Sequence, residues 1–66
     1  MKNNIKVERA IKNITQEELS KQIGVTRQAI NSIELGKYVP STILALKLSQ
    51  YFGKEVNEIF QLEDGD

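Results

Sequence analysis

The chain predicts a mainly α-helical fold of five short helices, with its two ends free to form a small two-stranded antiparallel ribbon. Three observations carry that expectation. Apolar residues recur at i, i+3 and i+4 over successive short stretches. Helix-capping residues, Thr15, Thr26 and Ser41, stand just ahead of three of those stretches, and Gly24, Gly36 and Gly53 follow them. Finally, 66 residues with no Cys and no His leave a thin core with neither disulfide nor thiolate metal site to reinforce it, so local order has to be high.

In chain order, Val7, Ala10, Ile11 and Ile14 fall at i, i+3, i+4 and i+7. They predict a first helix over about Lys6 to Asn13 with that stripe as its apolar face. Thr15 followed three residues later by Glu18 is a capping box, in which hydroxyl and carboxylate each satisfy the other residue's amide. It opens a helix from Gln16 to Ile23 with Leu19 and Ile23 on one face. Gly24 takes the sharp turn, Val25 plugs its inside, and Thr26 caps the next helix. From Arg27 to Leu35 the apolar stripe is Ala29, Ile30 and Ile33, and the opposite face carries Arg27, Gln28, Asn31 and Ser32. Gly36 and Pro40 bar continuation.

After Pro40, Ser41 caps a helix from Thr42 to Phe52. Its apolar residues (Ile43, Leu44, Ala45, Leu46, Leu48, Tyr51 and Phe52) cover more than one face, as in a central helix or one that meets a second chain. Gly53 ends it, and Val56 to Phe60 forms one more short turn. Gln61-Leu62-Glu63 is expected to pair with Lys2-Asn3-Asn4-Ile5 as the ribbon, which is marginal alone and must lean on the helices or a partner. Glu63-Asp64-Gly65-Asp66 reads as a frayed tail.

Residues 16–35 therefore read as two short helices joined at a glycine, the plan of a helix-turn-helix. A major groove admits one helix with about this many polar side chains near its N-terminus. Arg pairs with guanine, Gln or Asn with adenine, and Ser with several edges. Arg27, Gln28, Asn31 and Ser32 are the candidate base-reading residues. Gln16 and Thr26 open helices whose free amides favour phosphate, and Lys37 and Tyr38 follow the recognition helix, so these four are the candidate phosphate contacts. The bland alternative is an ordinary solvated helix face, with Tyr38 a loop packing residue.

The stretch closely resembles the lambda-repressor and Cro-like helix-turn-helix family, also called the xenobiotic response element family. The resemblance is carried by Arg9, Thr15-Gln16, Leu19, Gly24 to Gln28, Ile30, Ile33-Glu34, Gly36-Lys37 and Pro40-Ser41. It covers about residues 5 to 60 and extends to a short subgroup similar to the cytolysin repressor. It implies a transcriptional regulator of duplex DNA, most naturally a repressor, built as a five-helix lambda-repressor-like DNA-binding domain with a ribbon from the chain ends. It also implies a structural salt bridge between Arg9 and Glu34, tying the first helix to the end of the recognition helix. Two departures stand out. Glu8 lies where the subgroup more often has an apolar residue, and Thr42-Ile43 inverts the family's apolar-then-polar order.

Residues 1 to 37 hold seven Lys or Arg against four Glu, a charge of +3, and residues 38 to 66 hold two against five acids, a charge of −3. One basic face can bind phosphate while the acidic remainder suppresses promiscuous binding, so modest non-specific affinity and reliance on direct readout are expected. No apolar run approaches transmembrane length and no signal peptide opens the chain, so the expected location is cytoplasmic, at the nucleoid, with no membrane partner.

The whole chain, 1–66, is expected to be a single domain, with a C-terminal dimerisation region over 51–63. Tyr51, Val56, Ile59, Phe60 and Leu62 supply more apolar surface than one terminal segment buries alone, which predicts a two-fold homodimer on a palindromic operator. Catalysis finds no support. The carboxylates are scattered on short helices, Gly36-Lys37 lacks the lead of a phosphate-binding loop, and no metal, cofactor or small-molecule effector is implied. The alternative function is an antitoxin-type module that binds a protein and also regulates its own promoter. The lack of a long disordered arm weighs against it.

Overall fold

The computed structural model describes residues 1–66. The order of elements is β1 (Lys2–Asn3), α1 (Ile5–Lys12), α2 (Gln16–Ile23), α3 (Arg27–Glu34), α4 (Thr42–Phe52), α5 (Val56–Ile59) and β2 (Phe60–Gln61). The strands pair antiparallel with Lys2 opposite Gln61 and Asn3 opposite Phe60. No helix is long and apolar enough to cross a membrane.

The local signals act as the residues predict. Thr15 Oγ1 accepts from the Glu18 amide at 3.0 Å, and Glu18 Oε1 accepts from the Thr15 amide at 2.9 Å. Thr26 and Ser41 cap α3 and α4 by accepting from Ala29 N (3.1 Å) and Leu44 N (3.2 Å). Gly24 turns the chain at φ +88°, in the left-handed region. Its amide and that of Val25 both donate to the Ser20 carbonyl, so the last turn of α2 is closed.

Ten apolar side chains form one buried cluster: Ile5, Leu19, Ile23, Ile30, Ile33, Leu44, Leu48, Phe52, Ile59 and Phe60. Every helix contributes, and α4 does so through Leu44, Leu48 and Phe52, four residues apart. Full burial of such a side chain stabilises by about 1.5–3 kcal/mol. Ile43 and Leu46 lie on the other side of α4 and stay 68% and 56% exposed.

The first helix corrects the expectation. Three of the four residues of its apolar stripe face solvent: Val7 is 56% and Ile11 68% exposed, and Ala10 is exposed as well, while Ile14, beyond the end of the helix, packs against the core. Ile5 and Glu8 are the buried residues instead. Periodicity marks a stripe but not the side that meets the core. Here the rotation of α1 follows from its two attachments. Asn3 Nδ2 donates to the Ile33 carbonyl (2.8 Å) and Asn4 Nδ2 to the Glu58 carbonyl (2.9 Å), pinning the helix start. One turn beyond Ile5, Arg9 reaches Glu34 at the end of α3. Ile5 and Arg9 therefore share the inward face, and Val7 and Ile11 point away.

The same pins shorten the ribbon. Ile5 already belongs to α1, and the Asn4 amide donates to the Ile59 carbonyl at 2.8 Å, so pairing is confined to two residues on each side and draws in Phe60. The tail also differs from a frayed end. The Met1 ammonium lies 3.0 Å from Glu63 and 3.2 Å from Asp66, and the Glu63 amide donates to Asp66 at 2.7 Å. Bonds to Glu63 and then Asp66 raise the pKa of the ammonium, and the Glu63 amide followed by the ammonium lowers that of Asp66.

Candidate nucleic-acid interface

Ile30 and Ile33 are 0% and 1% exposed, so α3 is seated on the core and cannot roll. That seating leaves Arg27, Gln28 and Asn31 exposed and Ser32 half-buried on one outward arc. Arg27 and Asn31 stand on one edge of the arc, Gln28 and Ser32 on the other, each pair one helical turn apart.

A cleft lies along each edge. The first, about 410 Å³, lies between α2 and α3 and is lined by Arg9, Ile14, Thr15, Gln16, Glu17 and Arg27. The second, about 320 Å³, is lined by Thr26, Gln28, Ala29, Ser32, Lys37 and Tyr38. The polar ridge thus has on one side the N-terminus of α2, whose first amides point outward, and on the other a lysine with a half-exposed tyrosine. All four candidate phosphate contacts line these clefts: Gln16 in the first, Thr26, Lys37 and Tyr38 in the second. The Thr26 hydroxyl oxygen is already engaged by the Ala29 amide, which leaves its own O–H as the donor.

Behind the ridge, Arg9 and Glu34 form a bidentate pair, Nε to Oε2 at 2.7 Å and Nη2 to Oε1 at 3.0 Å. Their side chains are 14% and 7% exposed, and Arg9 Nη1 also donates to the Ile14 carbonyl at 3.1 Å. The bonds to Glu34 raise the pKa of Arg9, against the opposing effect of burial. Glu34 Oε1 additionally accepts from Gln16 Nε2 at 3.2 Å, and the same nitrogen donates to Asn31 Oδ1 at 3.2 Å. The ion pair is thereby linked to the outward face of α3, a connection that sequence spacing alone does not reveal.

The residues expected at a dimer surface separate into two groups. Ile59 (0% exposed) and Phe60 (7%) lie in this chain's own core, so Ile59 presents nothing to a second copy. Counting terminal apolar residues could not tell core from surface. The α5 backbone turns Ile59 under α4, and β2 pairing holds Phe60 in place. Leu62 is 82% exposed, and Val56 and Tyr51 are half-buried, with Tyr51 edge-on to Phe52 and beneath the Lys12 ammonium at 5.0 Å. An apolar groove of about 250 Å³ runs beside Val56 and Phe60 and is walled by Met1, Val39, Pro40, Ala45 and Leu46. Val39 and Leu46 were missed as candidates, although α4's apolar surplus pointed to Leu46.

Comparison with known proteins agrees with this geometry. Residues 5–59 match the family model described as Helix-turn-helix. An uncharacterized HTH-type transcriptional regulator of Methanocaldococcus jannaschii is 50% identical over 66 residues, the whole of both chains. The uncharacterized HTH-type transcriptional regulator YgzD of Bacillus subtilis is 45% identical over 64 residues, 97% of each chain. A similarly described regulator of Archaeoglobus fulgidus is 44% identical over 64 residues, 97% of this chain and 90% of its own.

Proposed function

Because the chain belongs to the lambda-repressor/Cro-like helix-turn-helix family of transcriptional regulators, we propose that it represses transcription by holding a palindromic operator as a homodimer. The observation that carries this reading is the polar ridge of α3 between two clefts. Inserted in a major groove, Arg27, Gln28, Asn31 and Ser32 face base edges. Gln16 on one flank, and Thr26, Lys37 and Tyr38 on the other, meet the two bordering phosphate strands. The bound helix excludes polymerase from an overlapping promoter. Such a role is exercised in the cytoplasm, at the nucleoid.

One recognition helix reads only a few base pairs, too few for a distinctive genomic site, and a two-fold dimer doubles the reading. Val39, Leu46 and Val56, which line one apolar groove, supply the self-complementary face together with the exposed Leu62, whereas Tyr51 lines a separate cleft with Gln22, Ile23, Lys47 and Gln50. Two recognition helices about 34 Å apart then meet successive turns of the groove.

Selection of bound sequences from a random duplex pool, with sedimentation of the free protein, tests the reading. Enrichment of an inverted repeat and a dimer at micromolar concentration are expected. A monomer that binds half-sites as well as full sites would overturn the dimeric operator model, and no enrichment at all would overturn sequence-specific binding.

A further inference from the structure

We propose that Gln16 is a positioning residue for base reading: it turns the Asn31 amide so that Asn31 selects a keto base, guanine or thymine, over an amino base. The inference rests on the DNA-reading role proposed above.

The argument starts from the one group in the network whose polarity is fixed. The Arg9 guanidinium only donates, and it engages both oxygens of Glu34. The ionised carboxylate only accepts. The Gln16 terminal atom 3.2 Å from Glu34 Oε1 must therefore be the amide nitrogen, because an oxygen there would face oxygen lone pairs. The second N–H of that nitrogen points to Asn31, also at 3.2 Å, and must meet an acceptor, Oδ1. Asn31 is left with its Nδ2 turned away from Gln16, on the exposed side of α3. Polarity thus runs one way, from Arg9 through Glu34 and Gln16 to Asn31.

In the major groove, guanine O6 and thymine O4 are acceptors, whereas adenine N6 and cytosine N4 are donors at corresponding positions. An outward Nδ2 complements these oxygens and opposes the exocyclic amines, leaving adenine N7 as the one acceptor that an amino purine can still offer it. Adenine's two-bond pairing with Asn would need Oδ1 facing the base, and that oxygen is held sideways by Gln16. A buried ion pair that cannot touch DNA bases thereby sets the sense of one base contact. Because Gln16 also lines the flanking cleft, its loss lowers overall affinity, so the informative readout is a ratio between sites.

The test uses the full chain on its selected duplex, at the base pair where Asn31→Ala removes discrimination. The keto base there is exchanged for an amino analogue of the same outline, thymine for 5-methylcytosine or guanine for 2,6-diaminopurine, with the opposite base changed to match. The native protein should bind the keto form about tenfold or more tightly, as one good groove contact allows. Gln16→Met should shrink the ratio to about threefold or less while leaving discrimination at the base pair read by Gln28 intact. Asn31→Asp, an exposed change that presents only acceptors, should invert the ratio. Native preference for the amino form would overturn the proposal, as would a ratio unchanged in Gln16→Met or a keto preference retained by Asn31→Asp. A protein that enriches no sequence removes the DNA-reading premise itself, a result separate from a keto preference that ignores Gln16.

Discussion

Replacing Glu34 by Ala leaves the Arg9 guanidinium with a single protein acceptor, the Ile14 carbonyl at 3.1 Å. Two charge-assisted bonds are lost together, at 2.7 and 3.0 Å, in a pair whose side chains are 14% and 7% exposed. That burial removes the case from the surface regime, where an ion pair contributes about 0–1 kcal/mol. Stranding one charge of a buried pair costs about 3–5 kcal/mol. For a chain of 66 residues the total stability is roughly 3–10 kcal/mol, so the substitution takes up a large part of it. At about 4–8 °C per kcal/mol, the melting temperature should fall by at least about 12 °C. Urea and thermal denaturation followed by circular dichroism read both quantities. The double change Arg9→Met with Glu34→Leu should recover most of the loss, because the cost lies in the stranded charge. A Glu34→Ala loss below about 1 kcal/mol, or a double variant as unstable as the single one, would refute the reasoning.

Three further outcomes follow from burial. Glu8 is 9% exposed, yet its carboxylate makes no hydrogen bond or ion pair and keeps its oxygens open to solvent, so only its stem is packed and Glu8→Leu should change stability by no more than about 1 kcal/mol in chemical denaturation; a loss above about 2 kcal/mol would show that the carboxylate is needed where it stands. Val7→Lys and Ile11→Lys should each change stability by no more than about 0.5 kcal/mol, because both side chains point to solvent; a loss above about 2 kcal/mol would return them to the core. Ile59→Asp should abolish the cooperative melt, since it places a charge at a fully buried position, whereas Leu62→Glu should leave the melt in place and shift sedimentation toward monomer. The reverse pattern would make Ile59 the interface residue and Leu62 part of the core.

Elements whose signals are local were legible in the sequence. The capping box at Thr15 and Glu18, the caps at Thr26 and Ser41, and the turn at Gly24 depend on residues within a few positions of each other, and α2 and α4 have the predicted bounds. What escaped depends on distant contacts. The rotation of α1 is decided by Asn3, Asn4 and Arg9 reaching Ile33, Glu58 and Glu34, partners 25 to 54 residues away in the chain. A period cannot encode that choice, although two asparagines just ahead of Ile5 were a sign that the chain is tied down there. The surplus of apolar residues after Gly53 likewise gave a count without sides, and only the packing of α5 beneath α4 separates Ile59 from Leu62. On the recognition helix, four outward side chains could be named from spacing. The clefts beside them and the bridge from Gln16 to Asn31 required three dimensions.

The central claim is that the outward face of α3 reads base edges, and it is tested most directly by titrating Gln28→Ala and Arg27→Ala against single-base-pair variants of the selected duplex. Each substitution should cost about 1–3 kcal/mol on the selected site and flatten the preference at one or two defined base pairs, leaving the others as they were. Equal weakening on every duplex, with all base preferences kept, would assign these side chains to the phosphate backbone and contradict the account.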